Sequence, residues 1–451
     1  EWGVAYRTSL DSKPVRAQVL PGETYTTVPA SPPDAATSMD EIFADFESLI
    51  VPGMTHWQHP RFFAYFPSNA SPASVVAEHL VTAMAAQCML WQTSPAATEL
   101  ETRMIDWLRQ AIGLPDGFSG VIQDSASSAT LAAVLVMRER ALGWTGNATG
   151  LSGHPRLRVY ASTEVHSSID RAIWFAGIGS DNLVRIPTVG THRGMDPAAL
   201  DAAIRADCAA GHRPAGIIAC TGGTSTGACD DIAEVARVTK AHDLYLHVDA
   251  AWAGSAMICP EFRALWTGVA EADSVVFNPH KWLGANFDCS AHFIRDPDAL
   301  RRTLAIQPEY LRTLETDGVT NYSEWSIPLG RRFRALKLWF LMRFHGLDGL
   351  RTIIRNHVAW THELCDRLRA TPGVQIVTDP VLALFSFRID GDDTRNLALV
   401  EALNADGRIY LTQTEVAGAT AIRFTAGSFD MQHSDIDIAY DAITDLMARL
   451  P

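Results

Sequence analysis

Two stretches decide the fold class: LYLHVDAAWAG at 244–254 and SVVFNPHKWLGANFDCS at 274–290. Each opens with a short, largely apolar run and then turns abruptly to polar and small residues. Such runs are typical of strands that are buried on both faces of a parallel sheet. The two stretches therefore predict neighbouring strands, with Asp249 at the end of one and Lys281 just beyond the end of the other.

Similar runs lie outward from these two, at 157–161, 183–187 and 216–220, and helical segments such as DIAEVARVTKAHD separate them. Apolar strands that alternate with amphipathic helices predict βαβ units and an α/β fold with a mostly parallel sheet. Active sites in such folds lie beyond the carboxyl ends of the strands. The candidate site therefore consists of the segments that follow the predicted strands, namely 163–166, 221–226, Asp249 and 278–281.

The flanking sequence predicts two further regions around this sheet. We expect an N-terminal arm and helical segment over 1–114, a large domain over 115–345 and a small α+β domain over 346–451. Ser38 or Asp40 is the expected N-cap of an early helix, because both side chains accept a hydrogen bond from a first-turn amide. The runs VQIV, LALFSFRI and AIRFTAGS predict the strands of the small domain.

Composition excludes several classes of protein. The 451 residues carry 37 Lys and Arg against 51 Asp and Glu, a formal net charge of −14 without any basic run. Nucleic acid and membrane surfaces are therefore poor candidates for partners. Seven cysteines, an odd number with no CxxC pair, favour a reduced cytoplasmic protein and do not support a metal site. The sequence contains no uninterrupted run of 18 apolar residues, so it predicts no membrane-spanning helix.

The pairing of Asp249 with Lys281 points to a specific cofactor. A carboxylate in an apolar environment needs a cationic partner. A desolvated lysine between aromatic residues can lose its proton and attack an aldehyde. Pyridoxal phosphate requires both groups, because a lysine holds its aldehyde as a Schiff base and an acid keeps its pyridine nitrogen protonated. The sequence therefore predicts a pyridoxal phosphate site built on Lys281 and Asp249.

Two further segments at the same predicted edge suit this cofactor. The run SASSAT at 125–130 opens an amphipathic helix that we predict over 129–141, and a helix start with free amides and hydroxyls is a phosphate site. His166, in STEVHSSIDRA, follows the strand at 157–161 and precedes a helix. Its ring could stack on the pyridine ring and help to expel water.

With these residues in place, the chain resembles the pyridoxal-phosphate-dependent group II decarboxylases, most closely the aromatic-L-amino-acid decarboxylases, which include tryptophan, tyrosine and dopa decarboxylases. The resemblance runs from about residue 40 to 345 and more weakly to the C-terminus. Its motifs are PGMTHWQHPRFFAYFP, SPAATELE, SASSAT, HVDAAWAGSAMICPEFR, NPHKWLGANFDCS and IPLGRRFRALKLWF. The resemblance implies fold type I, the aspartate aminotransferase-like fold, and a homodimer with shared active sites and swapped N-terminal helices.

The resemblance also implies a role for each matched residue. Lys281 is the Schiff-base lysine, Asp249 the partner of the pyridine nitrogen and His166 the stacking residue. The implied contacts of the ring and its phosphate are Thr224, Ala126, Ser127 and His280. The implied aromatic substrate pocket consists of Trp57, Tyr65, Phe66 and Pro67.

Tyr310, in QPEYLRTLETDGVTNYSEW, matches a catalytic tyrosine that the family carries in a loop before the IPLGRRF motif. A phenol there can donate a proton to the substrate carbon after CO₂ leaves. Relatives with Phe at this position tend to form aldehydes oxidatively. Tyr310 and His166 therefore favour simple decarboxylation to an amine, through an external aldimine and a quinonoid.

The identity of the substrate is less constrained by the sequence. No arginine in the matched pocket segments suits a distal carboxylate, which argues against glutamate and aspartate. Gly330 matches a position where glycine tends to accompany indolic substrates, which slightly favours tryptophan over dopa, tyrosine or phenylalanine. The pocket wall at 87–89 differs from that of animal relatives. The alternatives are an aromatic acetaldehyde synthase, an aminotransferase and a non-catalytic scaffold.

Overall fold

The fold is taken from a computed structural model that describes residues 1–306 and 318–450. Two compact units divide the chain. Glu1–Pro67 and His357–Pro451 make up the first, called the terminal unit, and Ser68–Asn356 makes up the second, called the central unit. The terminal unit begins with three short helices: α1 (Trp2–Thr8), α2 (Glu23–Thr27) and α3 (Met39–Asp45).

The central unit is an α/β unit of eight helices and nine strands within the described residues. Its helices are α4 (Pro72–Met84), α5 (Pro95–Ile112), α6 (Ala126–Ala141), α7 (Gly146–Thr149), α8 (Ser168–Phe175), α9 (Pro197–Ala209), α10 (Ile232–Ala241) and α11 (Pro297–Leu304). Its strands are β1 (Ser119–Gln123), β2 (Leu157–Ser162), β3 (Leu183–Ile186), β4 (Thr188–Val189), β5 (Gly194–Met195), β6 (Arg213–Cys220), β7 (Tyr245–Asp249), β8 (Ser274–Phe277) and β9 (Ser290–Ile294).

Seven of these strands form the predicted sheet, in the order β1-β9-β8-β7-β6-β2-β3. The pairs from β8 to β3 are all parallel, whereas β9 runs antiparallel to both of its neighbours. The mostly parallel sheet is therefore confirmed, and all five predicted strands are present. Strands β1 and β9 were not predicted, because the apolar run of β1 is short and ends at Gln123, and the buried His292 interrupts that of β9.

Helix α5 shows how the sequence positions elements beside this sheet. It starts with Pro95 in its first turn and ends at Gly113, whose φ of 78° is the left-handed conformation that stops helices. Its buried residues recur at three- and four-residue spacing, so one face of the helix packs against β1. The helical segment expected within 1–114 therefore includes two helices, α4 and α5, and α4 ends at Ala85, which has a φ of 49°.

A long helix leads from the central unit into the terminal unit. This helix, α12 (Arg334–Arg369), is broken at Gly346, where φ is 65° and ψ is 168°. The terminal unit then forms an antiparallel sheet in the order β10-β11-β13-β12, as predicted for a small α+β region. Its elements are β10 (Val374–Val381), β11 (Leu384–Ile389), α13 (Asp393–Asp406), β12 (Thr412–Val416), β13 (Ala419–Thr425) and α14 (Ser434–Arg449).

The N-terminal segment of this unit is attached to it at buried positions. Among the first 27 residues, Leu10 and Val15 are buried, and Val15 packs with Phe62 and Ala64 of the same unit. Ser38 is the N-cap of α3, and it forms a capping box in which Ser38 and Glu41 exchange hydrogen bonds. Of the two expected caps, Ser38 is therefore correct and Asp40 is not.

Two histidines lie buried in the central sheet. His247 Nδ1 of β7 shares a hydrogen bond with Ser274 Oγ at 2.7 Å. The rings of His247 and His292 of β9 pack edge to face, with their centroids 5.9 Å apart. Neither ring nitrogen of His292 has a hydrogen-bond partner among the described residues. Burial lowers the pKa of His292 to about 3, because the charged form cannot be solvated there.

This histidine makes the fold sensitive to acid. An unfolded histidine has a pKa of about 6.5. Between that value and about 3, the unfolded chain therefore binds a proton that the folded chain does not, and stability falls as the pH is lowered. We expect His292→Met to recover about 2 kcal/mol of this loss between pH 7 and pH 5, measured by urea denaturation at both values. His79→Met, on the exposed face of α4, is the control, and parallel losses in all three proteins would contradict the prediction.

Candidate active site

Backbone hydrogen bonds place the turn that carries Lys281 beside the segment that follows Asp249. Asp249 ends β7 in register with Val276 of β8. The amide of Asn278 donates to Ala251 O at 2.9 Å, just past the two strand ends. The amide of Lys281 in turn donates to Asn278 O at 2.9 Å, in the single helical turn Pro279–Leu283. The predicted Asp and Lys therefore share the carboxyl edge of the sheet.

The loop after β6, which carries Thr224, lies against the segment after Asp249. The amide of Thr221 donates to Asp249 O at 2.9 Å, and the buried Oγ1 of Thr221 has no hydrogen-bond partner among the described residues. Gly222 has a φ of 80°, and a Cβ there would lie 2.6 Å from the Cβ of Ala253. Only glycine permits this close approach of the two loops.

His166 belongs to the same group of residues. Its Nδ1 accepts a hydrogen bond from the Ser168 amide at 3.1 Å, so in the neutral ring the proton is on Nε2. The pKa of His166 is lowered, chiefly by desolvation. The charge of Asp249 raises this pKa and the charge of Lys281 lowers it, so both groups are within electrostatic range of the ring.

His280 precedes Lys281 and is buried. Its Nδ1 accepts a hydrogen bond from the amide of Cys289 at 2.8 Å. Burial, assisted by the charge of Lys281, lowers the pKa of His280 to about 3. The ring is therefore neutral with a proton on Nε2, which makes that nitrogen a hydrogen-bond donor.

The predicted phosphate site is the start of α6. Ser125 is its N-cap, and its Oγ accepts from the Ser128 amide at 3.3 Å. Ala126 and Ser127 therefore lie in the first turn, where amides have no partner within the helix. Ala126 and Ala129 pack in one cluster with Val276, which places this helix start beside the end of β8.

The predicted substrate residues Trp57, Tyr65, Phe66 and Pro67 belong to the terminal unit. The rings of Trp57 and Tyr65 stack with centroids 5.7 Å apart, and both are more than 40% exposed, at 42% and 47%. Phe66 and Pro67 are buried, and the Arg423 guanidinium lies 4.7 Å from the ring centre of Phe66.

The last two predicted residues lie downstream of the sheet. Gly330 belongs to the central unit, and a Cβ at this position would lie 3.0 Å from Gln87 Nε2. Tyr310 lies outside the described residues.

Sequence reasoning missed two residues that hold the site in place. Asn69 Nδ2 donates to the backbone oxygen of Lys281 at 2.7 Å, and Ser168 fixes the ring of His166. Ser168 could have been found, because a hydroxyl two residues after a histidine is within local reach. Asn69 could not, because its contact spans more than 200 positions of the chain.

Comparison with known proteins agrees with this geometry. A family model described as the pyridoxal-dependent decarboxylase conserved domain matches residues 21–390. The chain belongs to this decarboxylase family. It is 38% identical to the aromatic-L-amino-acid decarboxylase of Rattus norvegicus, over 99% of this chain and 95% of the relative.

Other members of the family differ in the reaction that their names state. The chain is 37% identical to the phenylacetaldehyde synthase of Arabidopsis thaliana, over 94% of this chain and 89% of the relative. The crystal structure of Oryza sativa TDC with PLP and tryptamine superposes with a TM-score of 0.96 at 37% identity, covering 99% of this chain and 96% of that one. This likeness confirms fold type I. It also confirms an enzyme of the carboxy-lyase type, in a family that includes aromatic amino acid decarboxylases and aldehyde synthases.

The cofactor of this decarboxylase family is pyridoxal phosphate, and the residues present fit it. The unpartnered hydroxyl of Thr221 and the first-turn amides of α6 offer hydrogen-bond donors at the edge where Asp249 ends β7. A carboxylate, an amine and a helix start are the groups that its pyridine nitrogen, aldehyde and phosphate require.

Two kinds of feature are absent from the part of the chain that the structure describes. Across residues 1–306 and 318–450, no three His, Cys, Asp or Glu side chains are placed to hold a metal ion. In the same part of the chain, no helix has the length and apolar character that crossing a bilayer requires.

Proposed function

We propose that the protein decarboxylates an aromatic L-amino acid, with a preference for tryptophan-like substrates, to the arylalkylamine and CO₂. The observation that carries the proposal is the grouping of Asp249, Lys281 and His166 at one edge of the sheet. Family membership supports the class of reaction, and the residue roles below are our assignment.

Each residue at this edge has a distinct proposed role. Bound pyridoxal phosphate supplies an electron sink for the bond that breaks between Cα and the carboxylate. The carboxylate of Asp249 would hold a proton on the ring nitrogen, and the amine of Lys281 would hold the aldehyde carbon. Ala126, Ser127, Thr224 and His280 hold the phosphate and ring in place. His166 covers the ring and excludes water from the reacting atoms.

The proposed proton donor is Tyr310. Its phenol delivers a proton to Cα after CO₂ leaves, which gives the amine rather than an oxidised product. The proposal rests on the position of Tyr310 in QPEYLRTLETDGVTNYSEW, before the IPLGRRF motif.

The proposed substrate pocket is aromatic. We assign it to Trp57, Tyr65, Phe66, Pro67 and Gly330. Flat aromatic side chains favour an aromatic substrate by stacking. Trp57 and Tyr65 stack on each other and both remain exposed, so each ring can still contact a ligand.

We also propose a cytoplasmic homodimer with shared active sites. The proposal keeps the three-part organisation, with a swapped N-terminal segment over 1–114, a large domain over 115–345 and a small domain over 346–451. The free state of all seven cysteines supports a reduced compartment. Light scattering of the purified protein measures the assembly directly.

An aromatic acetaldehyde synthase is the second candidate, and the 37% identity to the Arabidopsis thaliana phenylacetaldehyde synthase favours it. That reaction consumes O₂ and water and releases aldehyde, CO₂, ammonia and peroxide. Equal yields of amine and CO₂ without peroxide therefore distinguish the decarboxylase.

The first prediction concerns Lys281. Protein purified with pyridoxal phosphate should show a visible absorption band and release amine and CO₂ from tryptophan, 5-hydroxytryptophan, dopa, tyrosine or phenylalanine, but not from glutamate. Lys281→Ala should lose the band, and its activity should fall by more than about 10³-fold, because no amine is left to bind the aldehyde. Lys240→Ala, on the exposed face of α10, is the control and should keep both. Normal turnover by Lys281→Ala would refute the assignment.

The second prediction concerns Tyr310. Tyr310→Phe removes the acidic proton and leaves the ring, so the product should shift from amine towards aldehyde, ammonia and peroxide, with CO₂ release retained. Peroxide and amine are quantified in the same reaction. Tyr25→Phe, at an 87% exposed position, serves as the control. An unchanged amine yield in Tyr310→Phe would show that another group donates the proton.

The third prediction concerns Gly330. Serine at this position adds a hydroxyl on a Cβ that would lie 3.0 Å from the end of the flexible Gln87 side chain, which can move aside. We expect Gly330→Ser to lower the ratio of kcat/KM for tryptophan to that for dopa by about tenfold. Gly349→Ser, where the new Cβ would make ordinary contact with His345 at 3.6 Å, is the control. Equal ratios in the two variants would exclude Gly330 from the pocket.

A further inference from the structure

A buried lysine lies in the motif IPLGRRFRALKLWF and has no part in the proposed reaction. Lys337, in the first turn of α12, has a side chain that is only 1% exposed. Removing an ammonium from water costs several kcal/mol unless acceptors surround it. Its Nζ has three of them: Glu78 Oε2 at 2.8 Å, and the backbone oxygens of Asn286 and Asp288, each at 3.2 Å.

Two of these acceptors belong to the segment that directly follows the cofactor lysine, residues 281–289, here called the Lys281 loop. The segment before α4 and its first turn hold the first half of the loop. The Ser71 amide donates to Gly284 O at 3.0 Å, and the Asn286 amide donates to Ser74 Oγ at 2.9 Å. Asn69 binds the backbone oxygen of Lys281 itself.

The start of α12 holds the second half of the loop. Arg334, one turn before Lys337, makes a two-point ion pair with the carboxylate of Asp288, with both distances 3.0 Å. Lys337 binds the backbone on either side of Phe287. At the end of the loop, the Cys289 amide donates to His280, the residue before Lys281. The loop is therefore closed on itself and held on both sides.

Burial lowers the pKa of Lys337 to about 8, so its ammonium form still predominates at pH 7. Glu78 also forms an ion pair with Arg332, so one carboxylate joins α4 to two cations at the start of the α12 region. Lys337 itself has three N–H groups and three acceptors. An apolar side chain of similar size would fill the same volume but leave two backbone oxygens and a carboxylate without this donor.

We propose that Lys337 is a positioning residue for Lys281: its ammonium holds the Lys281 loop in the one conformation that presents the cofactor lysine at the sheet edge. The inference rests on the proposed function in taking Lys281 as that lysine. A lysine that must reach an aldehyde carbon gains rate from a fixed backbone, because a loosely held group spends little time at bonding distance.

The test compares Lys337→Met, Lys337→Arg and wild-type protein. The first readout is hydrogen exchange of the 281–289 amides in cofactor-free protein, and the second is the affinity for pyridoxal phosphate, titrated by its visible band. Lys337→Met should exchange these amides about tenfold faster and bind the cofactor about tenfold more weakly. Lys337→Arg keeps a multiple donor and should recover part of both.

Ile173→Ala is the matched control for general destabilisation. Ile173 is fully buried in α8, within a core cluster that contains none of the loop residues. This variant should lower the melting temperature while leaving the exchange of 281–289 and the cofactor affinity unchanged. Equal changes in Lys337→Met and Ile173→Ala would overturn the proposal, because Lys337 would then contribute stability alone.

Milder variants keep the test decisive if Lys337→Met does not fold. Ser74→Ala removes the hydroxyl that binds Asn286, and Arg334→Lys removes the two-point pair with Asp288. Either one should speed exchange in 281–289, and wild-type exchange in both would overturn the proposal. Failure of the proposed function would give a different result, because Lys281→Ala would then keep the visible band. Hydrogen exchange in the cofactor-free Lys337 variants does not depend on that result.

Discussion

The hydrogen bonds across the ends of β7 and β8 are the interaction on which the rest of the site depends. They place Asp249 level with Val276 and bring Asn278 against Ala251, so the turn that carries Lys281 starts beside the carboxylate. Both strands are fully buried. A shift of one residue in the register of either strand would turn every side chain of that strand to the opposite face of the sheet. The hydrophobic core thus determines where the acid and the amine lie.

Periodicity predicts the parallel part of this sheet because β2, β3, β6, β7 and β8 are rich in apolar residues. It fails for β9, where His292 occupies a buried position with no local sign that the position is buried. It also starts α6 at Ala129 rather than Ala126, because Ser127 and Ser128 read as a polar loop although Ser125 already caps the helix. Both errors arise at polar residues in positions where apolar residues are expected. His292 is buried with no local sign of it, and the serines at the start of α6 follow a cap that bonds to the backbone.

The candidate site shows the same division between local and distant information. Asp249, Lys281 and His166 can be predicted because each follows a recognisable strand within a few residues. The contact of Asn69 with the backbone of Lys281, and the contacts of Lys337 with residues 286 and 288, join segments that are far apart in the chain. The motif around Lys337 is visible in the sequence, but only the three acceptors around its Nζ give the residue a role.

The choice between amine and aldehyde products depends on residues that act after CO₂ has left the substrate. In the proposed mechanism, Asp249 and Lys281 would act on the cofactor before CO₂ leaves, so they would be common to both outcomes and could not select between them. The selecting group must be a proton donor near Cα. His166 carries its proton on Nε2, and its lowered pKa favours the neutral ring. A neutral imidazole is a weak acid, so His166 is better suited to covering the cofactor ring than to donating a proton to Cα. The proposed proton transfer therefore falls to a phenol, and we assign it to Tyr310 on the position of that residue in the sequence.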